Sequence, residues 1–336
     1  MFKNKTILVT GGTGSFGKAF IAQVIKKYPN FKKLIIFSRD ELKQSEMLQK
    51  KIFQDKKIRM ILGDIRDFRS IKRALQSVDI VIHAAALKQV PTAEYNPFQF
   101  IQTNVIGSQN IIEASLDTKV SQVVALSTDK ASSPVNLYGA SKLCLEKLFI
   151  SANNIKGSKN INFSVVRYGN VIGSRGSVIP YFLKNFKEKK ILTVTDPKMT
   201  RFNITLSQAV DLVFKSLKYS KEGEILVPKI PSFKITDLVK AITNKNKFNL
   251  IGIRPGEKLH EELISIYEGF SAVEFKDHYA ILSTNDKQKI LNYCKRKKAK
   301  IVKNGFCYTS DKNPNFLKIN ELKNIIKKEF PKMIDE

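Results

Sequence analysis

The chain has 336 residues, of which 43% are hydrophobic and 26% charged, as in a globular protein with a large core. Its net charge is +28, from 58 Lys and Arg against 30 Asp and Glu. Three scattered cysteines, Cys144, Cys294 and Cys307, exclude a disulfide framework or a zinc site. Apolar runs stay shorter than the roughly 18 to 20 residues of a membrane span, and a strand begins near the N-terminus. We therefore expect a cytoplasmic protein without a signal peptide, a metal or a membrane partner.

Strands and helices alternate through the first half of the chain. Short apolar, β-branched runs predict strands at 6–10, 33–37, 58–62, 78–83, 122–127 and 163–168. Helical spacing predicts helices at 15–27, 42–53, around 71–75, 98–114 and 140–152. This alternation predicts an α/β fold, a Rossmann-type doubly wound parallel sheet with helices on both faces. Such a sheet binds its cofactor at the carboxyl ends of the strands.

The regularity loosens after Gly169. A turn-rich loop at 173–177 is followed by predicted helices at 205–217 and 236–242 and short strands at 224–228 and 250–253. Residues 1–168, with return segments at about 203–245, are predicted to form the dinucleotide-binding domain. Residues 169–202 and 246–336 are expected to form a smaller C-terminal substrate-binding lobe. The segment after about Asp277 contains no motif that we can interpret.

The turn after the first strand has the spacing of a phosphate-binding loop. Its residues are Gly11, Thr13, Gly14, Ser15, Phe16 and Gly17. Glycines allow a tight turn and a close approach of the backbone to a pyrophosphate, and the following helix offers free N–H groups. Because the loop lies between a strand and a helix at the start of the chain, it predicts a dinucleotide site.

The end of the second strand bears on which dinucleotide binds. Ser38 stands where an NAD-preferring site usually has a carboxylate, and Arg39 with Lys43 suits the 2′-phosphate of NADP. Asp40 keeps the binding of NAD possible, so we expect NADP as the cofactor with NAD as the alternative.

Further cofactor contacts are predicted after the third and fourth strands, at Asp64, Ile65, Ala84, Ala85, Ala86 and Lys88. Asp64 is placed to meet the adenine edge, with a helix cap as the alternative. Lys88 points toward the cleft, where it could contact a phosphate, unless it is simply an exposed loop lysine. His83 ends an apolar strand, and we interpret it as a core histidine in preference to a catalyst.

The segment 127–142 carries the chemistry. Tyr138 and Lys142 are four residues apart and share one helical face. We expect the Lys142 ammonium to lower the pKa of the Tyr138 phenol from about 10 and to bind the nicotinamide ribose. Tyr138 would then take a proton from a substrate hydroxyl, held by Ser127 or Thr128, while hydride leaves the same carbon.

Asp129 and Lys130 add what a simple dehydrogenase does not need. A carboxylic acid and an amine beside the hydride site remove water together. One protonates the leaving hydroxyl, and the other takes the acidic proton next to the new ketone. Lys130 then needs an amine that is neutral part of the time, with a pKa lowered by burial or nearby cations. A solvated Asp–Lys turn is the alternative.

On these motifs the chain resembles the extended short-chain dehydrogenases/reductases. More narrowly, it resembles the inverting UDP-N-acetylglucosamine 4,6-dehydratases that begin pseudaminic acid biosynthesis. The likeness covers nearly the whole chain and is most specific at 83–88, 127–142, 167–171, 173–178, 199–202 and 253–258. Retaining hexose dehydratases have Asp-Glu where this chain has Asp129 and Lys130, so the resemblance points to the inverting branch.

The resemblance implies a reaction in which Tyr138 takes the 4-hydroxyl proton while a hydride passes from C-4 to NADP. Lys130 removes the C-5 proton, Asp129 protonates the 6-hydroxyl, and water leaves. The hydride returns to C-6 and a proton reaches C-5 from the opposite face, which gives UDP-2-acetamido-2,6-dideoxy-β-L-arabino-hex-4-ulose without net redox change.

The resemblance also implies residues that hold the UDP-N-acetylglucosamine. These are Lys88, Asn170, Arg175, Val178, Thr200, Arg201, Arg254 and Glu257. Arginines suit the diphosphate and Glu257 suits a ribose hydroxyl, with structural ion pairs as the alternative. Homo-oligomers are also implied, as dimers through helix faces and further as hexamers. Asn203 and Gln89 depart from the family pattern, since a tryptophan and a histidine are expected there.

Other functions stay open at the level of sequence. A nucleotide-sugar epimerase, or a bifunctional dehydratase and epimerase for capsule or O-antigen sugars, is the alternative enzyme. A non-catalytic NADP-binding sensor is the non-enzyme alternative. A nucleic-acid-binding module is disfavoured, because the lysines are spread along the chain and the cluster at 295–300 lacks regularly spaced aromatics. We therefore expect no nucleic-acid partner, and interpret the charge as a solvated surface that attracts an anionic substrate.

Overall fold

The computed structural model describes residues 1–174 and 176–331. Its β-strands are β1 (Thr6–Thr10), β2 (Lys33–Ser38), β3 (Ile58–Leu62), β4 (Ile80–His83), β5 (Gln122–Thr128), β6 (Asn162–Tyr168), β7 (Asn170–Val171), β8 (Thr193–Val194), β9 (Thr200–Ile204), β10 (Ile225–Pro228), β11 (Ser232–Lys234), β12 (Asn249–Leu250), β13 (Glu262–Ile264), β14 (Ala272–Glu274), β15 (His278–Ile281), β16 (Lys300–Ile301) and β17 (Tyr308–Thr309).

Its α-helices are α1 (Ser15–Lys27), α2 (Glu41–Leu48), α3 (Phe68–Ala74), α4 (Val90–Tyr95), α5 (Pro97–Phe100), α6 (Gly107–Leu116), α7 (Leu137–Ile155), α8 (Val178–Lys187), α9 (Leu206–Tyr219), α10 (Ile235–Thr243), α11 (Lys287–Lys297) and α12 (Ile319–Glu329). Short 3₁₀ segments lie at Lys51–Phe53, Asp129–Ala131 and Glu268–Ser271, and a π-helical segment at Ile101–Ile106. Over the described ranges, none of the helices is both long and apolar enough to cross a membrane.

A large sheet organises the molecule. Among the described residues it has ten strands in the order β16-β14-β15-β10-β6-β5-β4-β1-β2-β3. From β10 to β3 every neighbouring pair is parallel, whereas β15, β14 and β16 add antiparallel. The order β3-β2-β1-β4-β5-β6 is that of a doubly wound Rossmann sheet. Strands β1 and β4 are buried along their whole length, as strands covered on both faces are. The predicted fold class is confirmed.

The predicted long helix at 98–114 is divided. It consists of α5, the π-helical segment and α6. Asn104 lies in the π-helical segment with its side chain fully buried, and it hydrogen-bonds a neighbouring loop. Such π segments are frequent at functional sites. Helix α7 begins earlier than predicted, because Asn136 caps it by accepting a hydrogen bond from Gly139 N at 2.8 Å.

A smaller hydrophobic core lies beside the sheet. Helices α8, α10 and α12 pack together around Phe182, Leu238 and Leu322. The chain segments that join the main sheet and the smaller core differ from those that the predicted domain boundaries assign. Helix α10, expected within the return segments, packs in this smaller core, whereas β14–β16, expected in the lobe, extend the main sheet. Hydrophobic spacing reveals a helix or strand but not which of two cores it joins.

Candidate active site

A cleft of about 990 Å³ opens at the carboxyl ends of the parallel strands. Every predicted site residue that the structure describes lines it, apart from Asp129 and Thr200. Arg175 lies outside the described residues, so its predicted role stays a prediction. Gln89 lines the cleft, while Asn203 is buried in β9, opposite Asn170 of β7.

The glycine loop closes one end of this cleft. Gly11 has a φ of +63°, and a Cβ at this position would lie 2.8 Å from Ala85 N. A Cβ on Gly17 would lie 2.5 Å from Gly12, so the helix approaches the strand closely. Among the described residues no side chain caps α1 at Gly14, which leaves the first N–H groups of the helix for a ligand. This arrangement suits a pyrophosphate.

Two cations stand beyond the glycine loop, each beside a carboxylate. Asp40 caps α2 by accepting from Lys43 N at 2.9 Å, and its carboxylate also contacts the Lys43 ammonium. Arg39 is half exposed, with Nη1 3.6 Å from Asp64 Oδ2. The cap alternative for Asp64 is wrong, because Asp67 caps α3.

His83 and Asn104 support the loop at 84–88. His83 Nδ1 lies 2.9 Å from Thr10 Oγ1, its Nε2 lies 3.2 Å from Ser108 Oγ, and burial lowers its pKa to about 3. It is a neutral core histidine, as expected. Asn104 Nδ2 donates to Leu87 O and to Ser141 Oγ, both at 2.9 Å, and Asn104 Oδ1 accepts from Leu87 N. Asn104 therefore ties the loop to α7; the sequence signal for it was an amide within an apolar helical pattern.

Tyr138 and Lys142 lie side by side in the buried wall, on α7 as predicted. The Lys142 ammonium donates to Leu126 O at 2.6 Å, and burial lowers the pKa of Lys142 to about 8. Burial raises the pKa of Tyr138 to about 12, although Lys130 and a hydrogen bond with Thr128 act in the opposite direction. The expected lowering of the Tyr138 pKa is therefore wrong, and Lys130 is the cation that favours the phenolate.

Lys130 lies inside the cleft wall with 23% of its side chain exposed, which excludes the alternative of a solvated turn. Its Nζ is 3.1 Å from Asp129 Oδ1, 3.1 Å from Glu261 Oε1 and 3.5 Å from Asn170 Oδ1. Burial acts against its charge, but Asp129 and Glu261 outweigh burial and raise the pKa of Lys130 above its ordinary value. The expectation of a lowered pKa is wrong, because Asp129 and then Glu261 stabilise the ammonium by more than burial disfavours it.

Asp129 lies just behind the cleft wall and is fully buried. Its Oδ1 accepts from Thr128 Oγ1 at 2.9 Å and from Lys130, both of which line the cleft. Its Oδ2 is buried without a hydrogen-bond partner among the described residues. Burial raises the pKa of Asp129, although Lys130 acts against this.

Among the predicted substrate residues, Arg201, Arg254 and Glu257 line the cleft, whereas Thr200 does not. Arg201 lines the cleft, donates to Leu259 O at 3.0 Å and has its Nε 3.6 Å from Glu261 Oε1. Arg254 and Glu257 line the far end as an ion pair, so the structural alternative holds for their side-chain contacts. Thr200 instead is buried outside the cleft lining, with its hydroxyl 2.7 Å from Ser310 Oγ.

The other predicted substrate residues, Lys88, Asn170 and Val178, line the same cleft. Val178 begins α8, and Asn170 lies in β7. Desolvation by the cleft walls and the nearby Lys130 lower the pKa of Lys88. The cleft is therefore rich in cations, as a site for an anionic ligand is.

A buried network of ion pairs contacts the chain next to the turn formed by Asp129 and Lys130. Arg167, at the end of β6, is fully buried and donates to both oxygens of Glu146, at 2.8 and 2.5 Å. It also donates to both oxygens of Glu268, at 2.9 and 2.7 Å. Ser132, which follows the turn of Asp129 and Lys130, donates to Glu268 at 3.3 Å. Sequence patterns alone do not reveal this network, since its members are far apart in the chain.

The strand order, the glycine loop and the Tyr138–Lys142 pair define an extended short-chain dehydrogenase/reductase. Residues 7–283 match the family model described as polysaccharide biosynthesis protein. The chain belongs to this polysaccharide biosynthesis family.

Individual relatives agree with this class. A protein of Campylobacter jejuni subsp. jejuni (serotype O:23/36, strain 81-176) named UDP-N-acetylglucosamine 4,6-dehydratase (inverting) is 49% identical over 97% of this chain and 98% of its own. A Rickettsia conorii protein named UDP-glucose 4-epimerase is 41% identical over 97% of this chain and 96% of its own. The X-ray structure of Pen from Bacillus thuringiensis matches with a TM-score of 0.89 and 38% identity, covering 98% of this chain and 99% of that chain. The resemblance to inverting UDP-N-acetylglucosamine 4,6-dehydratases is confirmed.

Proposed function

We propose that this protein is an NADP-dependent UDP-N-acetylglucosamine 4,6-dehydratase that inverts C-5. Its product would be UDP-2-acetamido-2,6-dideoxy-β-L-arabino-hex-4-ulose, as in the first step of pseudaminic acid biosynthesis. The observation that carries the proposal is the cluster of Asp129, Lys130 and Tyr138 around Thr128, where an acid, an amine and a phenol meet at one wall of the cleft. A homo-oligomer is part of the same proposal.

The cleft fits a nicotinamide dinucleotide. The close approach of Gly11 to Ala85 and the uncapped start of α1 suit its pyrophosphate. Arg39 and Lys43 would hold a 2′-phosphate, and Lys142 would hold the nicotinamide ribose. When bound, the nicotinamide supplies the acceptor and later the donor of one hydride, so the overall reaction needs no external oxidant.

The protein's own residues then move the protons. Tyr138 accepts the 4-hydroxyl proton, helped by the Lys130 charge that favours a phenolate. The new ketone makes the C-5 proton acidic, and Lys130 removes it as an amine. Asp129, whose pKa burial raises, supplies the proton with which the 6-hydroxyl leaves as water. Thr128 bonds Asp129 and contacts Tyr138, so it orients the acid against the phenol.

The test is the reaction of the purified protein with UDP-N-acetylglucosamine in D₂O, followed by NMR and mass spectrometry. The expected product has lost one water and carries a 4-ketone, a deuterium at C-5 and the inverted configuration there. Lys130→Ala should abolish water loss, while Lys184→Ala, on an exposed part of α8, should leave the rate unchanged. Retained water loss in Lys130→Ala would remove Lys130 from its role as the base.

A second candidate is a nucleotide-sugar 4-epimerase, because the Rickettsia relative carries that name. Epimerisation conserves mass, so a product of unchanged mass with an altered C-4 would favour it over the dehydratase. Asp129 and Lys130 argue against it, since an epimerase removes no water and needs no acid beside the amine.

A further inference from the structure

Glu261 is a buried carboxylate in the cleft wall that the sequence motifs did not single out. It is 3% exposed, lines the cleft and lies immediately before β13. Its Oε1 is 3.1 Å from Lys130 Nζ, the same distance that separates Lys130 from Asp129 Oδ1. Its Oε2 is buried without a hydrogen-bond partner among the described residues. Lys130 is thus held between two carboxylates, only one of which belongs to its own turn.

The chain fixes Glu261 firmly through its C-terminal part. Glu261 N donates to Ser310 Oγ at 2.9 Å, and Ser310 N donates to Glu261 O at 2.8 Å. The hydroxyl of Ser310 lies 2.7 Å from Thr200 Oγ1. Strand β13 pairs with β17 just beyond this point. Ser310, in the C-terminal segment, and Thr200 therefore help to position Glu261.

The proposed reaction creates a need for a proton acceptor beside Lys130. An ammonium cannot take the C-5 proton, so Lys130 must first lose one of its own. Asp129 does not serve as acceptor, because it must carry a proton to the leaving hydroxyl. Glu261 is the remaining carboxylate in contact with Lys130 among the described residues. The charged and titratable groups that face the pair from other elements are Lys88, Tyr138, Arg201 and Lys258.

We propose that Glu261 is a positioning residue that acts through Lys130, accepting its ammonium proton and so leaving the amine that the C-5 step requires. This inference rests on the proposed dehydratase function. One N–H bond of Lys130 breaks and one O–H bond of Glu261 forms, with no change in oxidation state. A positive and a negative charge become two neutral groups, and burial, which acts against both charges, favours this change. Burial acts against the Glu261 carboxylate, but Lys130 and Arg201 lower its pKa and keep it ionised beforehand.

The decisive variant is Glu261→Gln, with Glu274→Gln as the matched control in a half-exposed ion pair far from the cleft. We expect Glu261→Gln to lower kcat for water loss about 100-fold at neutral pH, with a nearly unchanged KM. The remaining rate should climb with pH, because Lys130 then loses its proton to solvent alone. Glu261→Asp, which keeps a carboxylate, should recover part of the rate and the wild-type pH profile.

A second measurement tests the contact between Glu261 and Lys130 in the absence of substrate. NMR titration of the Lys130 side chain should show it losing its proton at a pH at least one unit lower in Glu261→Gln than in the wild type, and unchanged in Glu274→Gln. An unchanged titration, or an equal loss of rate at every pH, overturns the inference. If the wild type releases no water, the proposed function fails by itself, and the titration still decides whether Glu261 sets the charge of Lys130.

Discussion

Removal of Arg167 should destabilise the protein strongly and reverse the way its stability depends on pH. In the wild type, Arg167 satisfies Glu146 and Glu268 with four hydrogen bonds inside the protein. In Arg167→Met, both carboxylates stay buried without their cation. Breaking a buried ion pair from one side costs about 3–5 kcal/mol of unfolding free energy.

The pKa of Glu268 gives an independent magnitude. Burial alone would raise it, but Arg167 lowers it from the usual value near 4.5 to about 2. At about 1.4 kcal/mol for each pKa unit, this corresponds to about 3 kcal/mol. A lowered pKa stabilises the fold above the unfolded value, so this contribution is present above pH 4.5 and is lost as the pH falls toward 2.

The variant should behave in the opposite way. Unpaired buried carboxylates have raised pKa values, so the folded Arg167→Met protein takes up protons and becomes more stable between pH 7 and pH 5. Urea unfolding at both pH values measures this, and the melting temperature at pH 7 should drop on the order of 10 °C. The exposed pair of Arg296 and Glu222 supplies the control, since Arg296→Met should cost less than about 1 kcal/mol.

A loss below about 1 kcal/mol, or no gain in stability at pH 5, would refute this reasoning. If Arg167→Met does not fold at pH 7, a variant that also replaces Glu146 and Glu268 by Gln decides the question. It should regain most of the stability, because no buried charge is left unpaired.

Two further predictions concern the glycine loop and the cations beyond it. Gly11→Ala should weaken NADP binding at least tenfold in calorimetry, because the new Cβ would clash with Ala85 N at a φ of +63°. Gly157→Ala is the control for backbone strain alone, since Gly157 has a φ of +57° and nothing within 4 Å of its Cβ position. An equal loss of NADP affinity in both variants would contradict the argument. Arg39→Ser should lower affinity for NADP while affinity for NAD stays the same or rises, because only the 2′-phosphate calls for the guanidinium and Arg66 still pairs with Asp64. An equal loss for both dinucleotides would show that Arg39 does not contact the 2′-phosphate.

Local patterns were enough to predict the sheet. The runs at 6–10 and 58–62 match β1 and β3 along their full length. For β1 the reason is burial, because a buried parallel strand is a continuous apolar segment. The places of the segment 127–142 and of the glycine loop were also predictable, since each is a short motif between a strand and a helix.

The charge state of Lys130 could not be predicted. It depends on Asp129 and also on Glu261, which only tertiary folding brings within 3.1 Å of Lys130, and no short motif contains Lys130 and Glu261. For the same reason an amide within an apolar helical pattern does not show that Asn104 ties a loop to a helix, and the resemblance implied a ligand contact for Thr200, whose hydroxyl contacts Ser310. Roles that arise between distant segments require coordinates.

The contact between Thr200 and Ser310 closes a span of 110 residues and has a consequence for biosynthesis of the chain. The strands from β1 to β6, which surround the proposed dinucleotide site, leave the ribosome long before Glu261 and Ser310 do. On the proposed reaction, a nascent chain would complete its dinucleotide-binding strands early and its proton-transferring residues only near the end of translation. A protein truncated before Ser310 should therefore still bind a dinucleotide but should not catalyse the proposed loss of water.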